Sequence, residues 1–298
     1  MSEFEDKVVI VTGAGGGLGK AHSLEFARRG AKVVVNDLGG SGDGVGSSDM
    51  ADVVVEEITQ AGGTAIANKA SVATMEGAQS IIDDAVSAFG TVDILINNAG
   101  ILRDKSFKNM DMADWDIVMD VHLNGSGYVT RAAWPVMLEK RYGRIVFTSS
   151  TSGIFGNFGQ ANYGAAKMGM LGIMNVLAIE GLSKNIRVNT LAPAAETRLI
   201  GTIPGVEVNP DNPDPMRPPK LVTPAVILMA SEDAPTGMTF HAGNGKFSRS
   251  ATFINEGLEF GADVSYEDLL AKKDELIDMS SSTEMSGLIR VQNQMKNA

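Results

Sequence analysis

Residues 7–37, KVVIVTGAGGGLGKAHSLEFARRGAKVVVND, decide the fold of this chain. Segments 7–12 and 31–36 are short, apolar and rich in β-branched residues, as is typical of strands buried on both faces of a parallel sheet. Between them, a glycine-rich turn leads into residues 20–29, where apolar residues recur at helical spacing. Because two parallel strands need a crossover connection, the stretch predicts a βαβ unit.

The glycine-rich turn of this unit predicts a dinucleotide site. Gly13 permits the tight turn that leaves the first strand, Gly17 lets the backbone approach a pyrophosphate, and Gly19 lets the helix pack closely on the sheet. The helix N-terminus would then face the phosphates with free N–H groups and the positive end of its dipole. The alternative is a glycine-rich turn that binds no ligand.

Asp37 directly follows the second strand of the unit. A carboxylate at this position can accept hydrogen bonds from both hydroxyls of a ribose, and it would repel a 2′-phosphate. We therefore expect NAD rather than NADP as the cofactor. The alternative is a solvated aspartate at a strand end.

The composition narrows the possible functions. The chain has 298 residues and a net charge of −11, which argues against a nucleic-acid partner because phosphate binding needs basic patches. The absence of cysteine excludes disulfides and thiolate catalysis, and the three scattered histidines predict no metal site. No run approaches ~18 apolar residues, so we expect no membrane span. The C-terminal Lys-Asn-Ala differs from a Ser-Lys-Leu peroxisomal signal, and a cytoplasmic location is expected.

Loops at successive strand ends would line the same cleft. Residues 38–48 form a long loop of glycine and serine, which we expect to cover the adenosine side. Ser71 and Val72 follow the third predicted strand, where an adenine ring could lie. Residues 97–100, NNAG, follow the fourth strand, and their position implies contact with the cofactor. For Asn97 and Asn98 themselves we expect a structural role, in which their side chains tie neighbouring strands together.

Helices are predicted between these loops, over residues 48–61, 74–89 and 113–137. Ser47 or Ser48 would cap the first, and Gly90 would end the second. The third is one long helix or two joined segments. Beyond residue 149, further strands are predicted at 186–191 and 238–242, a short helix at 221–230, and a lid-like segment rich in proline and glycine at 197–219.

A second chemical signal lies in residues 149–169, SSTSGIFGNFGQANYGAAKMG. Tyr163 and Lys167 are four residues apart, which places both side chains on one face of a helix. Ser150 lies at the end of the preceding apolar strand. A lysine beside a tyrosine is expected to lower the phenol's pKa, so that the phenol can exchange a proton near neutral pH. The alternative is an ordinary amphipathic helix with a surface lysine.

Three motifs together resemble the short-chain dehydrogenase/reductase family: TGxxxGxG at 12–19, NNAG at 97–100, and the set of Ser150, Tyr163 and Lys167. The resemblance implies an α/β fold, a single Rossmann-like, doubly wound parallel sheet of about seven strands. It implies that Tyr163 is the general acid/base, that Lys167 lowers its pKa and holds the nicotinamide ribose, and that Ser150 binds the substrate oxygen. The expected cofactor-binding residues are Gly13, Gly17, Leu18, Gly19, Asp37, Ser71, Val72, Asn98, Ala99, Gly100, Tyr163, Lys167 and Pro193.

Within that family, five segments resemble the (3R)-hydroxyacyl-CoA dehydrogenase branch found in peroxisomal multifunctional enzymes of type 2: 33–40, 97–107, 114–126, 130–134 and 152–163. This resemblance implies reversible hydride transfer between NAD and the 3-hydroxyl of a 3-hydroxyacyl-CoA. The alternatives are a 17β-hydroxysteroid or steroid-CoA side-chain dehydrogenase, a 3-oxoacyl reductase using NADPH, and a non-catalytic NAD-binding protein. How CoA would be held is open, with Arg103, Lys105, Arg198 and Arg217 as the candidate cations.

Two positions depart from the family pattern. His122 stands where the family usually has an asparagine that helps to build a proton relay. Either His122 takes over that relay, or its backbone carbonyl suffices and the side chain is structural. Ala70 stands where the family commonly has an aspartate, which removes one possible adenine contact.

The resemblance also implies a division of the chain. We predict an NAD-binding and catalytic domain over 1–245 and a C-terminal extension over 246–298. Residues 245–260 are interpreted as a two-stranded ribbon and 265–278 as a charged amphipathic helix. The extension is expected to pack on the cleft or on a partner subunit of a homodimer or homotetramer. The alternative is a loosely attached surface tail.

Overall fold

The computed structural model describes residues 3–195 and 216–296. Its core is an eight-stranded sheet in the order β3-β2-β1-β4-β5-β6-β7-β8. The strands are β1 Val8–Thr12, β2 Lys32–Asn36, β3 Thr64–Asn68, β4 Ile94–Asn97, β5 Gly143–Thr148, β6 Ile186–Ala194, β7 Thr239–Gly243 and β8 Lys246–Ser250. Neighbouring strands from β3 through β7 are parallel. The predicted doubly wound α/β fold is confirmed.

The helices that connect these strands are α1 Gly17–Arg28, α2 Met50–Gln60, α3 Met75–Phe89, α4 Met112–Met119, α5 Gly125–Lys140, α6 Thr151–Phe155, α7 Ala161–Glu180 and α8 Thr223–Ala230. Short 3₁₀ turns lie at Phe107–Asn109, Leu182–Lys184 and Pro219–Leu221. Helix α1 contacts α2 and α8, whereas α3 contacts α5. Right-handed crossovers from a sheet whose strand order reverses at β1 place these two groups on opposite faces.

The βαβ unit forms as its sequence predicts. All five residues of β1 are buried. Strand β1 is paired with β2 so that Val8 lies opposite Lys32 and Thr12 lies opposite Asn36. Helix α1 contributes the buried Phe26 to the hydrophobic core beneath it. The order reverses between β1 and β4, so a crevice opens at their carboxyl ends, which is where open α/β sheets bind ligands.

Helix boundaries agree with the sequence in part. Helix α3 begins after Thr74, whose side chain accepts a hydrogen bond from Gly77 N, and it ends at Gly90 in the left-handed region, as predicted. The predicted serine cap of α2 is wrong, because α2 begins after Asp49 and Ser48 Oγ donates to Gly39 O instead. No helix within the described ranges is long and apolar enough to cross a membrane.

The long helix predicted over 113–137 is continuous but not uniformly α-helical. A π-helical turn, Asp120–Asn124, joins α4 to α5. The turn carries His122, whose side chain is fully buried. Single π-turns within α-helices often occur at functional sites, because the extra residue redirects one side chain.

The sheet has one strand more than the expected count of about seven. β8 follows β7 after Asn244 and Gly245, both at positive φ, as in the two-residue turns that join antiparallel strands. The ribbon predicted within residues 245–260 is therefore wrong, because the first half of that segment is paired with the main sheet.

The chain divides by its internal contacts into two compact units, Met1–Arg249 and Ser250–Ala298. In the second unit, β9 Phe253–Ile254 pairs antiparallel with β10 Thr283–Glu284. The helix predicted over 265–278 forms as α9 Tyr266–Ala271 and α10 Lys273–Ile277, and α11 Gly287–Lys296 follows. Ser265 and Asp268 form a capping box at the start of α9. The oligomeric state stays a prediction.

Candidate active site

A cavity of about 260 Å³ lies at the carboxyl ends of the strands where the order reverses, and we call it the switch-point cavity. Nine of the expected cofactor residues line it: Gly13, Gly17, Leu18, Asp37, Ser71, Val72, Asn98, Ala99 and Gly100. Helix α1 begins at this cavity, and no side chain caps its N-terminus at Gly16. Its first N–H groups are therefore available to an anion.

Two glycines keep the turn compact. A Cβ added to Gly19 would lie 2.2 Å from Gly13 O, and a Cβ added to Gly13 would lie 2.7 Å from the Cα atom of Ala99. Asn98 Nδ2 donates to Thr12 O at 3.0 Å and to Gly13 O at 3.1 Å, which ties the end of β4 to the end of β1. The predicted structural role of Asn98 is thus seen directly. Gly19 acts behind the cavity rather than on its surface.

Asp37 is held in a fixed orientation at the cavity wall. Its Oδ2 accepts from Gly15 N and its Oδ1 from Gly39 N, each at 2.7 Å. Among the described residues that line the cavity, Asp37 is the only charged side chain. Each carboxylate oxygen has a further lone pair, so the group can still accept hydrogen bonds from two ribose hydroxyls.

The glycine-rich loop after β2 contributes one wall of the cavity, through residues such as Gly40, Ser41 and Gly44. Its outer part is joined to the segment that follows β4. Leu102 N donates to Gly42 O at 3.0 Å, and Arg103 Nε donates to Asp43 O at 2.8 Å. The expectation that this loop covers one side of the cleft is consistent with these contacts.

A second group of polar side chains lies at the end of β5 and on α7. It comprises Ser150, Tyr163, Lys167 and His122, and we call it the tyrosine cluster. Ser150 precedes α6, and its Oγ accepts from Ser152 N at 3.1 Å. Lys167 is 2% exposed, its Nζ donates to Thr148 O at 2.5 Å, and it lies 5.4 Å from the centre of the Tyr163 ring.

Burial dominates the proton affinities in this cluster. Loss of water raises the pKa of Tyr163 to about 12, although a hydrogen bond with Ser150 lowers it in part. Burial also lowers the pKa of Lys167 to about 7. The pKa of Tyr163 is therefore raised rather than lowered as predicted, because burial disfavours the charged phenolate.

The His122 side chain holds a backbone segment. Its Nε2 lies 2.7 Å from Ile101 O and 3.0 Å from Ile101 N, and its ring packs edge-on against Tyr163 with centroids 5.1 Å apart. Burial keeps the pKa of His122 well below its usual value, and the charge of Lys167 acts in the same direction. A neutral ring bound to Ile101 supports the structural alternative for its side chain.

The two groups of residues adjoin through residues 100–101. Gly100 and Ile101 line the switch-point cavity, and a Cβ on Gly100 would lie 2.2 Å from His122 Cε1. Ser150, Tyr163, Lys167 and Pro193 are not among the cavity-lining residues. Pro193 lies near the carboxyl end of β6, opposite Ala242 of β7.

Sequence reasoning missed the supporting role of Asn36. Asn36 Nδ2 donates to Asn68 Oδ1 and Ala70 O, both at 2.9 Å, and so fixes the cavity wall where the family aspartate is lacking. Its position at the end of a buried strand was a signal for such a role.

Of the candidate CoA cations, Arg103 and Lys105 both pair with Asp114. Arg198 and most of the predicted lid at 197–219 lie outside the described residues.

Comparison with known proteins agrees with this geometry. A family model described as short chain dehydrogenase matches residues 7–200. A short-chain type dehydrogenase/reductase of Mycobacterium tuberculosis is 48% identical over 95% of this chain and 98% of its own length. Peroxisomal multifunctional enzyme A of Dictyostelium discoideum is 51% identical over 91% of this chain, which spans 58% of that enzyme.

Among solved structures, the full-length peroxisomal multifunctional enzyme type 2 of Drosophila melanogaster superposes with a TM-score of 0.79 at 34% identity. The match covers 99% of this chain and 49% of that chain. The resemblance to this group of enzymes is thereby confirmed. The word peroxisomal describes those relatives, whereas the cytoplasmic location stays a prediction for this chain. The matched family model, the relatives and the fold show that the chain belongs to the short-chain dehydrogenase/reductase family.

Proposed function

We propose that this oxidoreductase transfers hydride reversibly between NAD and the 3-hydroxyl of a (3R)-3-hydroxyacyl-CoA. The observation that carries the proposal is the position of the tyrosine cluster directly beside a cavity whose wall presents Asp37. The substrate class is supported by the names of relatives that are peroxisomal multifunctional enzymes. Those names describe proteins longer than this chain, so their other activities are not transferred to it.

The residues of the switch-point cavity fit a dinucleotide. The α1 N-terminus offers uncapped N–H groups to a pyrophosphate, and Gly13 and Gly19 leave no room for side chains in the turn. Asp37 suits a ribose with two free hydroxyls. No lysine or arginine of the described chain lines the cavity to balance a 2′-phosphate, which favours NAD over NADP.

The tyrosine cluster would handle the proton. Tyr163 and Ser150 are hydrogen-bonded to each other, so their hydroxyl groups converge on one point where a substrate oxygen can bind. Ser150 Oγ already accepts the Ser152 N–H, which leaves its own proton to donate. During oxidation, Tyr163 in its phenolate form would remove the proton from the 3-hydroxyl. Bound NAD supplies the hydride acceptor for this step.

Lys167 would act on the phenol through its charge, since its Nζ lies 5.4 Å from the centre of the Tyr163 ring. Its Nζ is anchored on Thr148 O, and an ammonium group has two further donors that could reach the nicotinamide ribose. In its charged form it favours the phenolate over the phenol. His122 would contribute by holding Ile101, and thus the wall shared by cavity and cluster, in place.

The experiment is an absorbance assay of NAD reduction at 340 nm with (3R)- and (3S)-3-hydroxyacyl-CoAs of several chain lengths. A 17β-hydroxysteroid and a steroid-CoA are assayed in parallel, and NADP replaces NAD in a second series. We expect turnover with NAD and the (3R) esters. Turnover confined to steroids, to the (3S) epimers or to NADP would contradict the proposal.

A further inference from the structure

The start of α7 is attached to the segment that follows β4 through a set of polar contacts. Gln160 Nε2 donates to Asp104 Oδ2 at 2.6 Å, and Lys105 N donates to Gly159 O at 3.0 Å. Asn162 Nδ2 donates to Arg103 O at 3.2 Å. Three consecutive residues of this segment thus contact the residues around the start of the helix that carries Tyr163.

Gln160 links Asp104 to the start of α7. It is 4% exposed, immediately precedes α7 and lies three residues before Tyr163. Its Oε1 accepts from Asn157 Nδ2 at 3.0 Å, which fixes the amide so that its nitrogen faces Asp104. The first turn of α7 is therefore oriented by a side-chain contact as well as by its backbone.

The Asp104 carboxylate is not neutralised by its neighbours along the chain. Arg103 Nη1 lies 3.5 Å from Asp114 Oδ1, and Lys105 Nζ lies 2.9 Å from Asp114 Oδ2. Both cations therefore pair with α4. Asp104 Oδ1 is buried and has no hydrogen-bond partner in the part of the chain that the structure describes.

The charged and titratable groups around Tyr163 come from several elements. Lys167 lies on its own helix, His122 on the π-turn, and Asp104 on the segment after β4, with Asp114 of α4 behind Arg103 and Lys105. Burial is the main cause of the raised pKa of Tyr163, and the Asp104 charge acts in the same direction because a nearby anion disfavours the phenolate. Burial raises the pKa of Asp104 itself, and the hydrogen bond from Gln160 opposes that shift.

We propose that Asp104 is a positioning residue for Tyr163: its carboxylate orients the start of α7 through Gln160 and places a negative charge near the phenol. The proposal rests on the proposed function, since it assigns a second carboxylate to the same reaction. It adds a group outside the Ser150, Tyr163 and Lys167 set. Asp37 and Asp104 would then have separate tasks, the first in cofactor binding and the second in proton transfer.

The first test is the pH profile of kcat/KM for oxidation in Asp104→Asn, Asp104→Glu and Asp116→Asn. Asp104→Asn keeps an acceptor for Gln160 but removes the charge, so the rising part of the profile should move to lower pH by about one unit or less. Asp104→Glu retains the charge and should stay close to wild type. Asp116 is exposed on α4, and its substitution is the matched control for loss of a surface carboxylate.

Gln160→Ala separates position from charge. It removes the link to α7 but leaves the Asp104 carboxylate, so kcat should fall several-fold while the position of the profile on the pH axis stays unchanged. Equal profiles for wild type and Asp104→Asn would overturn the assignment of the charge. A wild-type kcat in Gln160→Ala would overturn the positioning role.

A measurement without substrate keeps this proposal independent of the proposed function. Protein labelled with ¹³Cζ-tyrosine is titrated by NMR, and the Tyr163 resonance is assigned by its loss in Tyr163→Phe. Deprotonation should begin at lower pH in Asp104→Asn than in wild type or Asp116→Asn. If wild type turns over none of the assayed alcohols but this shift occurs, the proposed function fails and the role of Asp104 stands. An unchanged titration would refute the role of the charge.

Discussion

The switch-point cavity and the tyrosine cluster are neighbours, but they are built differently. The cavity is made mostly of main-chain groups and glycines, with Asp37 as its single charged wall residue among those described. The cluster is made of desolvated side chains whose pKa values are shifted by burial. We infer that the cavity determines which cofactor binds and how tightly, whereas the cluster determines how fast the proton moves.

The largest effect is expected from Tyr163→Phe. Loss of the phenolic oxygen removes the general base, so kcat for oxidation should fall by about a thousandfold or more. NADH binding, followed by fluorescence, should change little because Tyr163 does not line the switch-point cavity. A comparable loss of NADH binding would show that the cavity and the cluster do not have separate tasks.

A change of pH should act on the cluster alone. With the pKa of Tyr163 at about 12, the phenolate fraction rises as pH increases from 7 to 9. Initial rates of oxidation should therefore rise by up to about a hundredfold over this range. Deprotonation of Lys167, with its pKa at about 7, removes a favourable charge and acts against that rise.

The reverse reaction provides the control for that pH dependence. Reduction uses the protonated phenol, which predominates throughout pH 7 to 9, so its initial rate should lack this steep rise. Parallel pH profiles in both directions would show that Tyr163 is not the group that titrates.

Gly19→Ala tests the main-chain construction of the cavity. The new Cβ would lie 2.2 Å from Gly13 O and 2.8 Å from both Ala14 Cα and Asn98 Nδ2, so the turn must move. We expect a loss of roughly 2–3 kcal/mol in the free energy of unfolding, measured by urea denaturation, together with weaker NADH binding.

The matched variant is Gly172→Ala on α7, where an added Cβ meets no atom within 4 Å. Alanine is the better helix former by about 1 kcal/mol, so this variant should be slightly more stable than wild type. Equal stability of the two variants would show that the glycine turn tolerates a side chain.

Asp37→Ala should give a smaller, selective effect. The variant loses acceptors for the ribose and the charge that repels a 2′-phosphate, so the ratio of kcat/KM for NAD over NADP should fall by roughly tenfold or more. Asp37→Asn keeps the shape and one acceptor oxygen, so its ratio should lie between those of wild type and Asp37→Ala. An unchanged cofactor ratio in both variants would refute the ribose assignment.

The same contrast explains what the sequence could predict. The βαβ unit, Asp37 and the strand-end positions of Asn98 and Ser71 were predictable because spacing and hydrophobic pattern determine them locally. The eighth strand was also signalled, since Asn244-Gly245 is a strong hairpin dipeptide, but it was assigned to a separate ribbon.

The properties of the cluster could not be predicted in this way. The direction of the Tyr163 pKa shift depends on how much water the folded chain excludes, which residue spacing does not reveal. The π-turn at Asp120–Asn124 leaves no distinct periodicity, so the buried position of His122 was hidden. Asp104 and Gln160 are 56 positions apart in the sequence, and only the fold brings them together.

The most direct test measures two quantities in the same two variants. The dissociation constant of NADH and the rate of NAD reduction at saturating NAD and (3R)-3-hydroxyacyl-CoA are determined for wild type, Tyr163→Phe and Asp37→Ala. We predict that Tyr163→Phe keeps the dissociation constant within about twofold and loses about a thousandfold in rate. Asp37→Ala should weaken NADH binding by about tenfold and keep the saturated rate within a few-fold. A variant that changes both quantities by similar factors would contradict the separation of cofactor binding from proton transfer.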